Sequence, residues 1–216
     1  DHRVAERQQH LLRRALVISA GIAAALLIFS LAYKYVFPPD PKQVAVMEKS
    51  SQADQAIQMG DLATALQLYR EAAEIRPEDP ELQIWVGALA EKLGQADGAA
   101  QAYGAAEAQL ADRARFLMQR AMTWLRLGEL DRAEADAQAS LAANPDLAES
   151  YFVLGGIYEA RGNVGGAVVA FEKTAELAEK ANNSALIVMA KTRLGMLLQA
   201  APLIQPTATS TPEAGP

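Results

Sequence analysis

Residues 147–181 read LAESYFVLGGIYEARGNVGGAVVAFEKTAELAEKA. Two segments of helical length, each with apolar residues recurring at three- and four-residue spacing, flank a short polar turn at Arg161-Gly162-Asn163. Gly162 is the last of four glycines, after Gly60, Gly94 and Gly128, that stand 34 residues apart. Five residues after each comes Ala65, Ala99, Ala133 or Ala167, and nine after each comes Tyr69, Tyr103, Ala137 or Phe171. Pro77 and Pro145 hold equivalent places after the first and third glycines. A fixed period of this length is the mark of a repeat architecture in which each unit buries its apolar face against its neighbours.

The physics of one period predicts helix, tight turn, helix. The turn glycine adopts a backbone conformation that a Cβ disfavours, and the alanines let the two helices approach closely. Asp61, Glu129 and Asn163 follow their glycines and put a polar group at the start of the second helix, where the helix dipole favours it. Pro80 after Asp79 suits the first residue of a helix. The predicted pairs are 43–59/62–75, 81–92/96–109, 113–126/130–143 and 147–161/164–181. A ninth helix runs from Ser184, its expected N-cap, to about residue 199, and its Leu186, Ile187, Met189, Ala190, Leu194 and Leu197 cap the open end of the stack. The stretch PLIQPTATSTPEAGP beyond it carries too little apolar content to build a core.

This pattern resembles the tetratricopeptide repeat. Tyr151, Leu154, Gly155, Tyr158, Gly162, Ala167 and Phe171 reproduce its signature in the fourth unit, and Gly87, Gly94, Ala99, Tyr103 and Ala106 do so in the second. The first unit lacks the early Leu-Gly, having Gln52 and Ala53, and the third has Ala121 and Ala137 in place of the early glycine and late aromatic. The resemblance implies an all-α fold: a right-handed solenoid of four helix pairs, units 46–79, 80–113, 114–147 and 148–181, closed by a capping helix over 182–200, with a Pro/Thr-rich tail over 201–216. It also implies a concave groove lined by the first helix of each unit. Carried onto this chain, the groove positions include Asp54, Ile57 and Gln58, and the expected partner-binding residues are Ile84, Arg115, Met118, Met122, Leu125, Arg126 and Phe152. The apolar members suit an apolar or amphipathic segment of a partner, and Arg115 and Arg126 suit an acidic end on it. Relatives that grip the acidic C-termini of heat-shock chaperones need Lys and Asn at the first groove positions, where this chain has Ser50 and Asp54.

Ahead of the repeats the character changes. Residues 15–33, ALVISAGIAAALLIFSLAY, carry no charge, and a helix over 12–37 is long enough for a hydrocarbon core about 30 Å thick. A short basic segment, 1–11, precedes it and a Pro-rich linker, 38–45, follows. Arg13 and Arg14 flank one end, while Tyr33, Lys34 and Tyr35 suit the interface at the other. Gly21 and Ala25 form a small-residue pair through which another helix can approach. The excess of arginine before the span places the N-terminus in the cytoplasm and the repeats on the non-cytoplasmic side of a cell (inner) membrane, as a single-pass protein.

Composition narrows the function. The 216 residues are 51% hydrophobic, but 45 are alanine and only 13 aromatic, which favours closely packed helices over strands. There is no cysteine, and the two histidines, His2 and His10, precede the apolar span. The repeats thus lack thiolate chemistry and the side chain most used for proton transfer near neutral pH. Gly162-Asn163-Val164-Gly165-Gly166 has no following Lys-Ser/Thr and reads as a repeat turn, not a phosphate loop. Asp131, Glu134 and Asp136 read as a solvated helix face rather than metal ligands. The expectation is a non-enzyme with no cofactor, no metal and no small-molecule substrate. The net charge of −6 divides into +3 over residues 1–37 and −9 over the rest, and an acidic body disfavours nucleic acid. The expected partners are proteins, through the groove and the membrane helix, and the lipid bilayer. The function read from these features is a membrane-anchored interaction scaffold that helps assemble, tether or stabilise a membrane complex. It resembles bacterial anchored tetratricopeptide proteins that assist secretion or cytochrome c maturation. The alternatives are a permanent accessory subunit of a respiratory or photosynthetic complex, or the non-catalytic part of a longer enzyme or sensor.

Overall fold

The computed structural model describes Ser19, residues 21–24, Leu26 and residues 40–200. The chain divides into two compact units, 1–47 and 48–216. In the first, Ser19, residues 21–24 and Leu26 are helical, and Ile22 and Leu26 are exposed. The anchor residues Arg13, Arg14, Ala25, Tyr33, Lys34 and Tyr35 lie outside the described residues, as does most of the expected span. Among the described residues no helix is long and apolar enough to cross a membrane.

From residue 41 onward the described residues form nine helices: α1 (Pro41–Gln58), α2 (Leu62–Ile75), α3 (Pro80–Lys92), α4 (Ala96–Leu110), α5 (Arg113–Arg126), α6 (Leu130–Ala143), α7 (Ala148–Ala160), α8 (Val164–Lys180) and α9 (Ser184–Ala200). They pair as α1/α2, α3/α4, α5/α6 and α7/α8. Each pair turns at a glycine in the left-handed region, with φ of 78° at Gly60, 72° at Gly94, 75° at Gly128 and 72° at Gly162. The next N–H then donates to the carbonyl five residues back, as from Asp61 to Ala56 and from Asn163 to Tyr158, at 2.9 and 2.8 Å. This closes the helix end and fixes the reversal.

Caps start the following helices. Asp61 Oδ1 accepts from the Thr64 N–H and Asn163 Oδ1 from the Gly166 N–H, both at 3.0 Å, and Asp79 caps a helix whose first residue is Pro80. Glu129 stands at the N-cap of α6 as expected, without a capping bond, and its carboxylate pairs with Lys92. One capping expectation is corrected. The side chain that caps α9 is Asn183, not Ser184: Asn182 takes a left-handed φ of 54°, and Asn183 Oδ1 accepts from the Leu186 N–H at 3.1 Å.

Within a pair, helix spacing is set by two residues 16 apart. A Cβ built on Gly87 stands 2.5 Å from the Tyr103 ring, and one on Gly155 stands 2.6 Å from the Phe171 ring. The third pair has Ala121 and Ala137 at these positions, both wholly buried in one cluster. In the second, third and fourth pairs a large residue on the second helix is matched by glycine on the first and a small one by alanine, whereas the first pair buries Tyr69 at the position matched by Ala53. The third and fourth units are joined by a buried hydroxyl pair: Ser140 Oγ lies 2.7 Å from the Ala114 carbonyl and 2.7 Å from Ser150 Oγ.

Overpacking against a buried ring costs about 1–3 kcal/mol, more than the helix propensity that alanine gains over glycine. Gly155→Ala therefore lowers the midpoint of urea unfolding, and Gly155→Ala with Phe171→Ala regains less than it loses, because the ring's own burial is gone. Circular dichroism across the urea series measures both.

Candidate binding groove

Helices α1, α3, α5 and α7 are the first helices of their units and carry the groove positions. The described groove differs from the expected apolar stripe. Ile84 is wholly buried, in a cluster with Ala106, Phe116 and Leu117. Met118 is buried with Ala88 and Val153. Phe152 is half-buried, tilted against the Phe171 ring at 5.3 Å and packed among α9 residues Leu186, Ile187, Leu194 and Leu197. These three expected contact residues are thus corrected to core or cap packing, because side chains of adjacent helices fill the space in front of them. Met122 is exposed and Leu125 half-buried, so the apolar part of the groove narrows to this pair on α5. Arg115 is exposed and bound to its own helix cap, Asp112, at 3.4 Å.

The structure instead draws Arg126 across the groove. Its Nη2 donates to Asp54 Oδ2 at 2.8 Å, linking the third unit to the first over 72 residues of sequence. The guanidinium lies 4.6 Å from the centre of the Trp85 ring. Trp85 stacks on Tyr69, with centroids 4.8 Å apart and planes 2° from parallel. Tyr69 in turn donates its hydroxyl to Asp54 Oδ1 at 2.8 Å. The four side chains form a closed ring of contacts: Asp54, Arg126, Trp85, Tyr69 and back to Asp54. Burial, then the adjacent Asp54 carboxylate, pushes the Tyr69 phenol well above its ordinary pKa, so it remains a donor at neutral pH.

Beside this ring lies a pocket of about 180 Å3 lined by Asp54, Ile57, Gln58, Trp85 and Arg126. Four of these, Asp54, Ile57, Gln58 and Arg126, were expected from the groove register. The missed member is Trp85, which is nearly fully buried beneath Arg126. The available sequence signal was the opposite charge of Asp54 and Arg126 at two groove positions.

Other charges are also taken up inside the solenoid. Arg120 donates twice to Asp136, at 2.7 Å each, between the Tyr103 and Phe116 rings, and these bonds raise its pKa. Arg132 pairs with Glu91 at 3.1 Å, and Arg161 pairs with Asp131 and Glu134. The acids of α6 thus serve ion pairs with neighbouring arginines.

The family model described as tetratricopeptide repeat matches residues 51–114 and 118–184. Among solved structures, the first such domain of human RPAP3 aligns at 16% identity, with 74% of this chain and 94% of that one covered and a TM-score of 0.38. The Sgt2 domain of Aspergillus fumigatus aligns at 18%, with 82% and 93% covered and a TM-score of 0.37. MamA of Desulfovibrio magneticus aligns at 16%, with 77% and 99% covered and a TM-score of 0.36. No curated protein matches.

The ring of contacts carries a measurable consequence. Half-exposed ion pairs contribute up to about 1 kcal/mol, and a cation over an aromatic face adds about 0.5–1 kcal/mol. Arg126→Gln lowers stability by about 1 kcal/mol. In a Trp124→Phe background it also raises acrylamide quenching of Trp85, since the guanidinium that covers the ring is lost.

Proposed function

The chain belongs to the tetratricopeptide repeat family, and from that premise we propose that it is a membrane-anchored scaffold that holds a partner protein through its groove. The observation that carries the reading is the pocket at Asp54, Ile57, Gln58, Trp85 and Arg126, with Met122 and Leu125 on the same helix as Arg126. It is a concave site with an aromatic base and an apolar margin, the kind of surface that receives an apolar or amphipathic segment. Met122 gives that margin an adaptable, polarisable side chain. Arg126 and Arg115 are already engaged by Asp54 and Asp112, so the reading rests on apolar contact and does not require an acidic end on the partner.

Anchoring rests on the sequence: an uncharged run over 15–33, with Arg13 and Arg14 before it and Lys34 after it. In this reading the residues before the apolar run are cytoplasmic, the repeats stand on the opposite side, and the scaffold holds a membrane complex together. The groove and the anchor act jointly, since confinement to a surface raises the effective concentration of a partner in the same membrane.

Two measurements test this reading. Met122→Asp with Ile57→Asp abolishes co-purification of the partner from solubilised membranes while the helical circular dichroism stays unchanged. Co-purification at the original level removes the groove from the reading. A reporter active only in the cytoplasm, fused after Pro216, stays silent; a signal there reverses the orientation.

A further inference from the structure

Helix α9 continues the register of the first helices. Arg193 Nη1 contacts Glu159 Oε1 of α7, one 34-residue period away, at 3.4 Å. Leu186, one period after Phe152, is buried with Ala148, Leu177 and Ala178. On this side α9 is packed as the opening helix of a fifth pair. Its other side is bare. Val188 is 64% exposed, Met189 50% and Met196 55%. One period earlier, Leu154 is buried, and Gly155 lies against the Phe171 ring of the second helix of its unit. The face of α9 that stands open is therefore the face that a second helix covers in the preceding pairs.

The sequence of residues 201–216 disfavours such a helix. Pro202, Pro206, Pro212 and Pro216 recur every four to six residues, whereas the shortest second helix in the solenoid has 14 residues. Proline in a helix interior removes a hydrogen bond and clashes with the preceding turn. In the second to fourth pairs, those nearest in sequence to α9, second helices are also matched in size to the residue they cover: Tyr103 and Phe171 lie on glycine, and Ala137 shares a buried cluster with Ala121. The residue in this series on α9 is Met189, which is larger than either.

We propose that the bare face of α9 receives an amphipathic helix from a partner protein, which completes a fifth helix pair and places an alanine or glycine opposite Met189. The surface continues the interface that joins the two helices of every pair, and it lies apart from the groove.

The probe is a labelled synthetic peptide with the sequence of residues 129–144, the second helix whose central residue is Ala137. Alpha-9 has no acidic residue, so this acidic peptide meets no repulsion from it. Titrated with the full chain, the peptide gives a saturable rise in fluorescence anisotropy. Val188→Asp with Met189→Asp, both at exposed positions, weakens binding by about ten-fold or more. A peptide carrying Ala137→Phe binds the chain about ten-fold less well, and Met189→Gly reverses that preference, as overpacking predicts. The proposal is overturned by no saturable binding, by binding indifferent to the Asp pair, or by a size preference that Met189→Gly leaves unchanged. Sedimentation showing a dimer of the chain that the Asp pair dissociates also overturns it, and assigns the face to a second copy.

Discussion

The closest approach between paired helices is the constraint on which the solenoid rests. At Gly87 and Gly155 there is no room for a single methyl group, because the Tyr103 and Phe171 rings already occupy that space. Each ring is placed by the turn before it, and each turn depends on a glycine with positive φ. The third pair reaches the same end with alanine on both helices, Ala121 and Ala137. What is maintained from the second pair to the fourth is the fit at one contact, not a residue type. A protein interior as dense as an organic crystal permits this trade and little else.

From that contact the rest of the stack follows. Close pairs make thin, stiff units, and thin units bring first helices near enough for side chains to bridge from one to another. Arg126 reaches Asp54 across the second unit, with Trp85 and Tyr69 as the floor. The first unit is the one whose opening helix departs furthest from the repeat pattern, with Gln52 and Ala53 in place of Leu-Gly. The Asp54 ring gives that helix a long-range tie to the third unit beyond its own pairing.

Much of this was legible in the sequence because it is local. The glycine ladder marks each reversal, since positive φ selects glycine there. Asp61, Asp79 and Asn163 are legible caps, since each stands just outside a periodic apolar run. The last cap was displaced by one residue because Asn183 and Ser184 are both competent, and the left-handed Asn182 before them decides between the two. The accessible surface of the groove was less legible. Ile84 and Met118 hold groove positions in the register, yet whether such a side chain faces water depends on what the neighbouring unit puts in front of it. Phe116 and Leu117 cover Ile84, and the α9 residues cover Phe152. Trp85 escaped notice because its role comes from Arg126, 41 residues away in the sequence, and from a ring stack that no spacing rule encodes.

The distribution of charge then limits what kind of partner the groove can hold. Residues 38–216 carry a net −9, so the cations are the scarce members, and the structure spends them internally. Lys92 pairs with Glu129, Arg126 with Asp54, Arg132 with Glu91, Arg161 with Asp131 and Glu134, and Arg193 with Glu159. Each of these pairs joins different units or their caps. An acidic ligand approaching the groove must displace a carboxylate already in place, within a field that is negative overall, and it gains only the difference between two similar ion pairs. Apolar contact carries no such competition. Burying the exposed Met122, the half-buried Leu125 and the pocket margin at Ile57 gains about 25 cal/mol for each Å2 removed from water. In the proposed reading, affinity in this groove grows with the apolar area a partner covers, and the ion pairs act to keep the units in register around it.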